Sequence, residues 1–265
     1  MAFGGDMALA QNRKMSPDQR EQLRQALREL PSLPNPVDCI DVGERLSYID
    51  MVVYMARDVG QMGQDGEAIR SSHVRANLQI DWNKVLSLGN RWYDRTVKAF
   101  DHDTYVQCAA ALKTIQEDLD THLKKLQQPA HRINSFLNGT AMSVSLGGDM
   151  IAMMLPSPDV LLQMATCYEC YRQLVDIAFA LQQYQAEHES YPDTLSELVP
   201  KYLAELPQDL FTAEDLKYRR DDGGYLLHSV GANQQDDKGL STWKDDVTDG
   251  DDIAVRVPRV EPAAP

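Results

Sequence analysis

Long apolar runs are scarce in this chain of 265 residues. A helix that spans a bilayer needs about 20 predominantly apolar residues. The nearest approach, Ala141 to Leu162, is interrupted by Asp149 and by Pro156-Ser157-Pro158, which excludes it as a span. Met1 to Lys14 shows no basic region followed by an apolar stretch, so no secretory signal is read there. Basic charge is scarce as well: 26 Lys and Arg stand against 40 Asp and Glu, a net charge of −14. Nucleic acid is therefore not an expected partner, because phosphate binding needs a basic surface. Catalytic signatures are missing too. There is no Gly-x-Ser-x-Gly elbow, no P-loop and no His-Glu-x-x-His. The histidines at 73, 102, 122, 131, 188 and 228 form no recognised metal pair, and Asp101-His102-Asp103 reads more simply as a helix boundary. No enzyme is expected. The competing class is an enzyme or ligand-binding protein with its site in the helical domain or at the domain junction, marked by a polar pocket near Trp82, Trp92 or His102.

Cysteine is sparse: Cys39, Cys108, Cys167 and Cys170. The last two form a Cys-x-x-Cys, but inside an apparently continuous helix and without a βαβ context. A structural zinc site needs four ligands, usually from paired motifs, and neither Cys39 nor Cys108 belongs to a pair. Free helical thiols are the expectation.

What the sequence does contain is helix periodicity, in a composition of 43% hydrophobic and 25% charged residues that suits a globular chain. Residues 1–15 read as a flexible lead-in. Ser16-Pro17-Asp18-Gln19 carries the marks of a helix start, with Ser at the N-cap, Pro at N1 and Gln at N3. Leu23, Leu27 and Leu30 give that helix a narrow apolar stripe, and Pro31 to Pro36 ends it. A second helix is expected from about Asp41, and Gly60 to Gly66 reads as a loop. A third helix covers Ile80 to Phe100. A fourth runs through Val106, Leu112, Ile115, Leu119, Leu123 and Leu126, with Pro129 after its stop. Between Ile133 and Leu155 only short, poorly defined apolar pieces are visible. Asp159 opens a long helix to about Glu189, with Leu161, Leu162, Ala165, Tyr168, Leu174, Ile177, Ala178, Leu181 and Tyr184 on one broad face.

Beyond that helix the pattern changes period. Lys217-Tyr218-Arg219, Tyr225 to His228 and Ile253 to Val257 read as short strands, and Gly223-Gly224 as the hairpin turn between the first two. The predicted class is α+β. An all-α helical domain at 16–158 precedes an α+β domain at 159–258, with a disordered tail at 259–265.

The order of pieces in the last third resembles the globular part of the major pseudopilin of type II secretion systems. The helix-end motif of that family is met by Tyr184, Tyr191, Pro192, Leu195 and Leu198. Its Leu-Pro-x-Asp-Pro-Trp-Gly turn is met by Leu206, Pro207 and Asp209, with Leu210, Phe211 and Thr212 departing from it. Ser229 to Gln234 stands for its Ser-x-Gly-Pro-Asp-Gly loop, and Asp251-Asp252-Ile253 for its closing motif. The resemblance implies a long helix packed on a small antiparallel sheet, and a calcium ion in the loop before the closing motif. It nominates Asn233, Asp251 and Asp252 as side-chain ligands, with the carbonyl of Leu227 or Ser229 beside them. Asp236 and Asp237 are further local candidates. Asn233 replaces the usual Asp, and the loop from Gln234 to Gly250 is longer than the family's. A solvated acidic loop therefore stays open beside bound calcium. Asp245 to Gly250 resembles an EF-hand superficially but has Val247 and Arg256 where ligands belong.

The function this implies is a non-enzymatic structural or protein-interaction role in the bacterial cell envelope or periplasm, with protein partners. Pseudopilins are anchored by a long apolar N-terminal helix, which is not read in this sequence, and that leaves other origins open: a cytoplasmic chain, a fragment of a longer anchored protein, or a start assigned in the wrong place.

Overall fold

The computed structural model describes residues 16–31, 33–62, 80–155, 157–240 and 250–257. The expected lead-in, most of the expected Gly60–Gly66 loop, the acidic stretch before Gly250 and the tail lie outside these residues. The chain forms two compact units. One holds Pro34–Asp103 and Gln107–Leu162; the other holds Met1–Leu33, Thr104–Val106 and Gln163–Pro265. The N-terminal helix thus groups with the C-terminal part, whereas the sequence placed it with the helical domain.

The helical unit begins where Asn35 caps a new helix through Val37 N (2.9 Å), with Pro36 at its first position. Pro36 is therefore a start signal and not a stop: its missing N–H is one the first turn leaves unpaired anyway. This helix, α2, passes through Pro36–Asp38, a π-helical stretch Cys39–Glu44 and Arg45–Met62. It continues past Gly60, where a loop was expected. Helix α3, Trp82–Ala99, is capped by Asp81, whose carboxylate accepts from Lys84 N. Helix α4 covers Tyr105–Leu126. The ill-defined apolar pieces that follow are two helices, α5 (Pro129–Leu137) and α6 (Gly139–Met154).

Glycine explains the packing of α6. A Cβ on Gly147 would stand 2.9 Å from a Leu88 methyl, and one on Gly148 only 2.3 Å from a Leu126 methyl. Gly89 on α3 likewise makes room for the Tyr48 ring, whose hydroxyl donates to Val85 O at 2.6 Å. Tyr48, Tyr93, Leu112 and Ile151 are fully buried in this core. The stretch Gly139–His188 contains a window of mean hydropathy 1.2, which by length and composition alone suffices for a membrane-crossing helix. Contrary to the expectation from sequence, the interruptions at Asp149 and Pro156-Ser157-Pro158 therefore do not by themselves exclude a span.

The α+β unit is built on α7, Pro158–His188. Its middle is buried almost all round, from Leu174 to Gln182, and not on one face as predicted. Helix α1, Pro17–Arg28, supplies the unforeseen cover. The capping box expected at Ser16 and Gln19 is present. Leu23 and Leu27 pack against the core, and the buried Arg24 reaches both Asp176 Oδ atoms (2.6 and 3.1 Å) and Tyr202 O (3.1 Å).

The sheet is three-stranded and antiparallel in the order β1-β2-β3, from Lys217–Asp221, Gly224–Ser229 and Ile253–Val257. Central β2 is buried along its whole length. Asp221 pairs with Gly224, so the hairpin turns at Asp222-Gly223, one residue earlier than expected, with Gly223 at φ 80°. Tyr191 stacks edge-on against Tyr225 (4.9 Å), and the Tyr218 hydroxyl donates to Pro192 O (2.8 Å). The Tyr-Pro pair thereby seals the helix end onto the sheet.

Candidate metal centre

The candidate centre lies where the end of β2, the loop after it and the start of β3 converge. Its framework is Asp209, which is 2% exposed. One of its oxygens accepts from Phe211 N and Ser229 Oγ and the other from Val230 N, each at 2.9 Å. The bond to Phe211 forms an Asx-turn. The other two tie that turn to the Ser229-Val230-Gly231 segment. Gly231, at φ 68°, lies so close to Asp251 that a Cβ would come within 2.3 Å of its carbonyl oxygen. Only glycine lets the loop turn there against Asp251.

The structure brings the predicted acidic residues together. Asp237, Asp251 and Asp252 each offer an oxygen within 4.8 Å of the others; His228, Asp236 and Asp252 form a second such group. Backbone donors hold the carboxylates. Asn233 N donates to Asp251 Oδ2 (2.9 Å), Asp251 N to Asp237 Oδ2 (3.2 Å), Gly239 N to Asp252 Oδ2 (2.7 Å) and Lys238 N to Asp236 Oδ1 (2.9 Å). Asn233 serves the loop itself: its side-chain oxygen accepts from Gln235 N (2.6 Å) and its amide donates to Asp237 (2.9 Å). Leu227 and Ser229, suggested as carbonyl ligands, are in register with β3 at Val255 and Ile253. The acidic positions of the loop before Gly250 lie outside the described residues.

Two buried oxygens in this cluster, Asp251 Oδ1 and Asp252 Oδ1, have no hydrogen-bond partner among the described residues. Asp252 is 1% exposed. Desolvation pushes both carboxyls above the usual range; for Asp251 the nearby Asp237 charge adds to this. Such groups are costly when ionised unless a cation or donor faces them. A cluster of buried His and Asp donors here is therefore able to hold a metal ion. Calcium takes six to eight oxygens, and carboxylates, carbonyls and water are its ordinary ligands.

His228 is the member that sequence reasoning missed. It is buried at 5% exposure on β2, next to Ser229, and its Nε2 lies 2.9 Å from Asp236 Oδ1. Its adjacency to the Ser229 motif was the available signal. The rest depends on a loop that folds back across β2.

Other candidates resolve into packing. All four cysteines are free. Burial pushes the Cys167 thiol up to about 11 and that of Cys170 up to about 12, which leaves them as inert thiols. His102 is exposed. Trp92 packs against His122 (6.0 Å) under the Arg95 guanidinium (4.8 Å). In comparisons with known proteins, no family model, curated protein or solved structure matches the chain.

Proposed function

We propose that this chain is a non-enzymatic structural or protein-interaction protein of the bacterial cell envelope, whose α+β unit is pseudopilin-like and closed by calcium. The observation that carries the reading is the pair of unpartnered, buried carboxylate oxygens of Asp251 and Asp252, set within 4.8 Å of a third carboxylate from Asp237. A hard divalent cation satisfies all three at once and staples a loop that has little regular hydrogen bonding. The architecture supports the same reading. A long helix packs on three antiparallel strands, and two of the resembling motifs, the turn at Asp209 and the Ser229 loop, meet at the Asp209 carboxylate. Exposed apolar side chains support a partner: Val42, Leu46 and Tyr54 on α2 and Ile133 and Leu137 on α5 are each more than half exposed.

Thermal unfolding with calcium or with excess chelator tests the calcium reading. Calcium at a hundredfold excess over its Kd stabilises by about 2.7 kcal/mol, which raises the melting temperature by several degrees. Asp251→Asn together with Asp252→Asn removes the response. An unchanged melting temperature in chelator, with no gain from calcium, overturns the reading.

A further inference from the structure

The calcium reading leaves His228 and Asp236 unused. His228 Nε2 faces Asp236 Oδ1 at 2.9 Å and Asp252 Oδ2 at 3.5 Å. A ring nitrogen so placed between two carboxylates carries either its tautomeric N–H or a metal ion. The group has a floor and a mouth. The side chains of His228 and Asp252 are 7% and 0% exposed, while that of Asp236 is half exposed. Among the described residues, Asp252 Oδ1 and His228 Nδ1 are both buried without a partner, so the floor holds unmet polar capacity.

The donors are fixed before any ion arrives. Residue 228 is paired with Lys217 on one side and Ala254 on the other. Lys238 N anchors Asp236, and Gly239 N anchors Asp252. A site held by backbone donors and a paired strand needs little rearrangement on binding.

We propose that His228, Asp236 and Asp252 form a second, nitrogen-bearing site for a zinc-type divalent transition metal, adjoining the calcium group and sharing Asp252 with it. The proposal rests on the same reading of this loop as cation-binding. Imidazole suits zinc, cobalt, nickel and copper, whereas calcium and magnesium take oxygen donors. Three protein donors with an open mouth leave a fourth position to water, as in an open zinc site. Metal-ligating histidines normally donate their other N–H to an acceptor, and Nδ1 here has none among the described residues. Binding is accordingly expected at micromolar strength and not tighter.

The test uses the full metal-free chain. Zinc and calcium are titrated by calorimetry and cobalt by visible absorption, in wild type and in His228→Gln, Asp236→Asn and Asp237→Asn, with far-UV circular dichroism checking each fold. His228→Gln is expected to weaken zinc at least tenfold and to change the cobalt spectrum, while calcium affinity stays within about twofold. Asp236→Asn, at the solvent edge, repeats the zinc loss; Asp237→Asn weakens calcium and spares zinc. Equal zinc binding and an unchanged cobalt spectrum in a folded His228→Gln overturn the site and assign zinc to other side chains. Calcium binding without zinc binding overturns this proposal alone, and zinc binding through His228 without calcium overturns the calcium reading alone. If neither ion binds, both fall.

Discussion

Three donors from two separate segments converge on the buried carboxylate of Asp209: Phe211 N, Ser229 Oγ and Val230 N. Each buried donor left without its acceptor costs about 1–3 kcal/mol, nearer the lower value where a loop can relax. Asp209→Ala is therefore expected to destabilise the chain by about 3–5 kcal/mol. Asp209→Asn falls between this and wild type, since one carbonyl oxygen remains to accept. Urea unfolding measures it as a lower midpoint at unchanged slope. A loss below about 1 kcal/mol for Asp209→Ala would show that the turn holds without its carboxylate. Only part of this role was legible in the sequence. An Asx-turn is a bond two residues ahead and can be read locally, but the bonds to Ser229 and Val230 depend on a strand that lies some twenty positions on. The same holds for His228, whose partners Asp236 and Asp252 come from a loop that folds back over β2.

Helix α1 is the element whose place the sequence least revealed. Its start was plain, because a capping box is a pattern of four adjacent residues. Its partner was not, because Arg24 and Arg28 find Asp176 about a hundred and fifty positions away. The two arginines differ in what they hold: Arg24 is 5% exposed and Arg28 about half exposed. Arg24→Met keeps the stem and leaves Asp176 short of a partner, at a cost of about 3 kcal/mol. Arg28→Ala costs under about 1 kcal/mol, as for most exposed ion pairs. Hydrogen exchange of Pro17–Arg28 measures both, and equal effects would reject buried-pair docking. Burial pushes the Asp176 carboxyl up, but its bonds to both arginines outweigh this and hold it below the usual range. The stabilisation it gives is present above that range and is lost as pH falls through its depressed value. Elsewhere the helices were legible in proportion to their apolar contrast. Helices α3 and α4 carry large residues at helical spacing, whereas α6 is rich in Gly, Ala, Ser and Met, whose close packing leaves little periodicity to read. Pro36 and Pro129 were read as stops because a proline marks a boundary without showing which side the helix lies on.

Across the whole molecule, the two units draw on different sources of stability, and pH separates them. The helical unit is held by an apolar core with few carboxylates in it. The α+β unit carries buried carboxylates of opposite sign in their response. Asp176 is depressed, so acidification costs stability. Asp251 and Asp252 are raised, so in metal-free protein they favour folding while protonated, and stability falls as pH climbs through the usual carboxylate range to their raised values. A bound cation reverses that second trend, because it stabilises the ionised form and must displace protons to enter. The difference between calcium-loaded and chelated protein therefore removes the Asp176 contribution and isolates the loop. Calcium stabilisation is expected to be near zero at about pH 4, to grow as pH rises through the carboxylate range, and to level off by about pH 7. Hydrogen exchange at pH 7 places the added protection on Ser229 to Leu240 and on Ile253 to Val257, and leaves α2, α3 and α6 unchanged. Protection spread over both units, or a calcium effect equally large at pH 4, would mean that cations act on the net charge of −14 and not on Asp251 and Asp252.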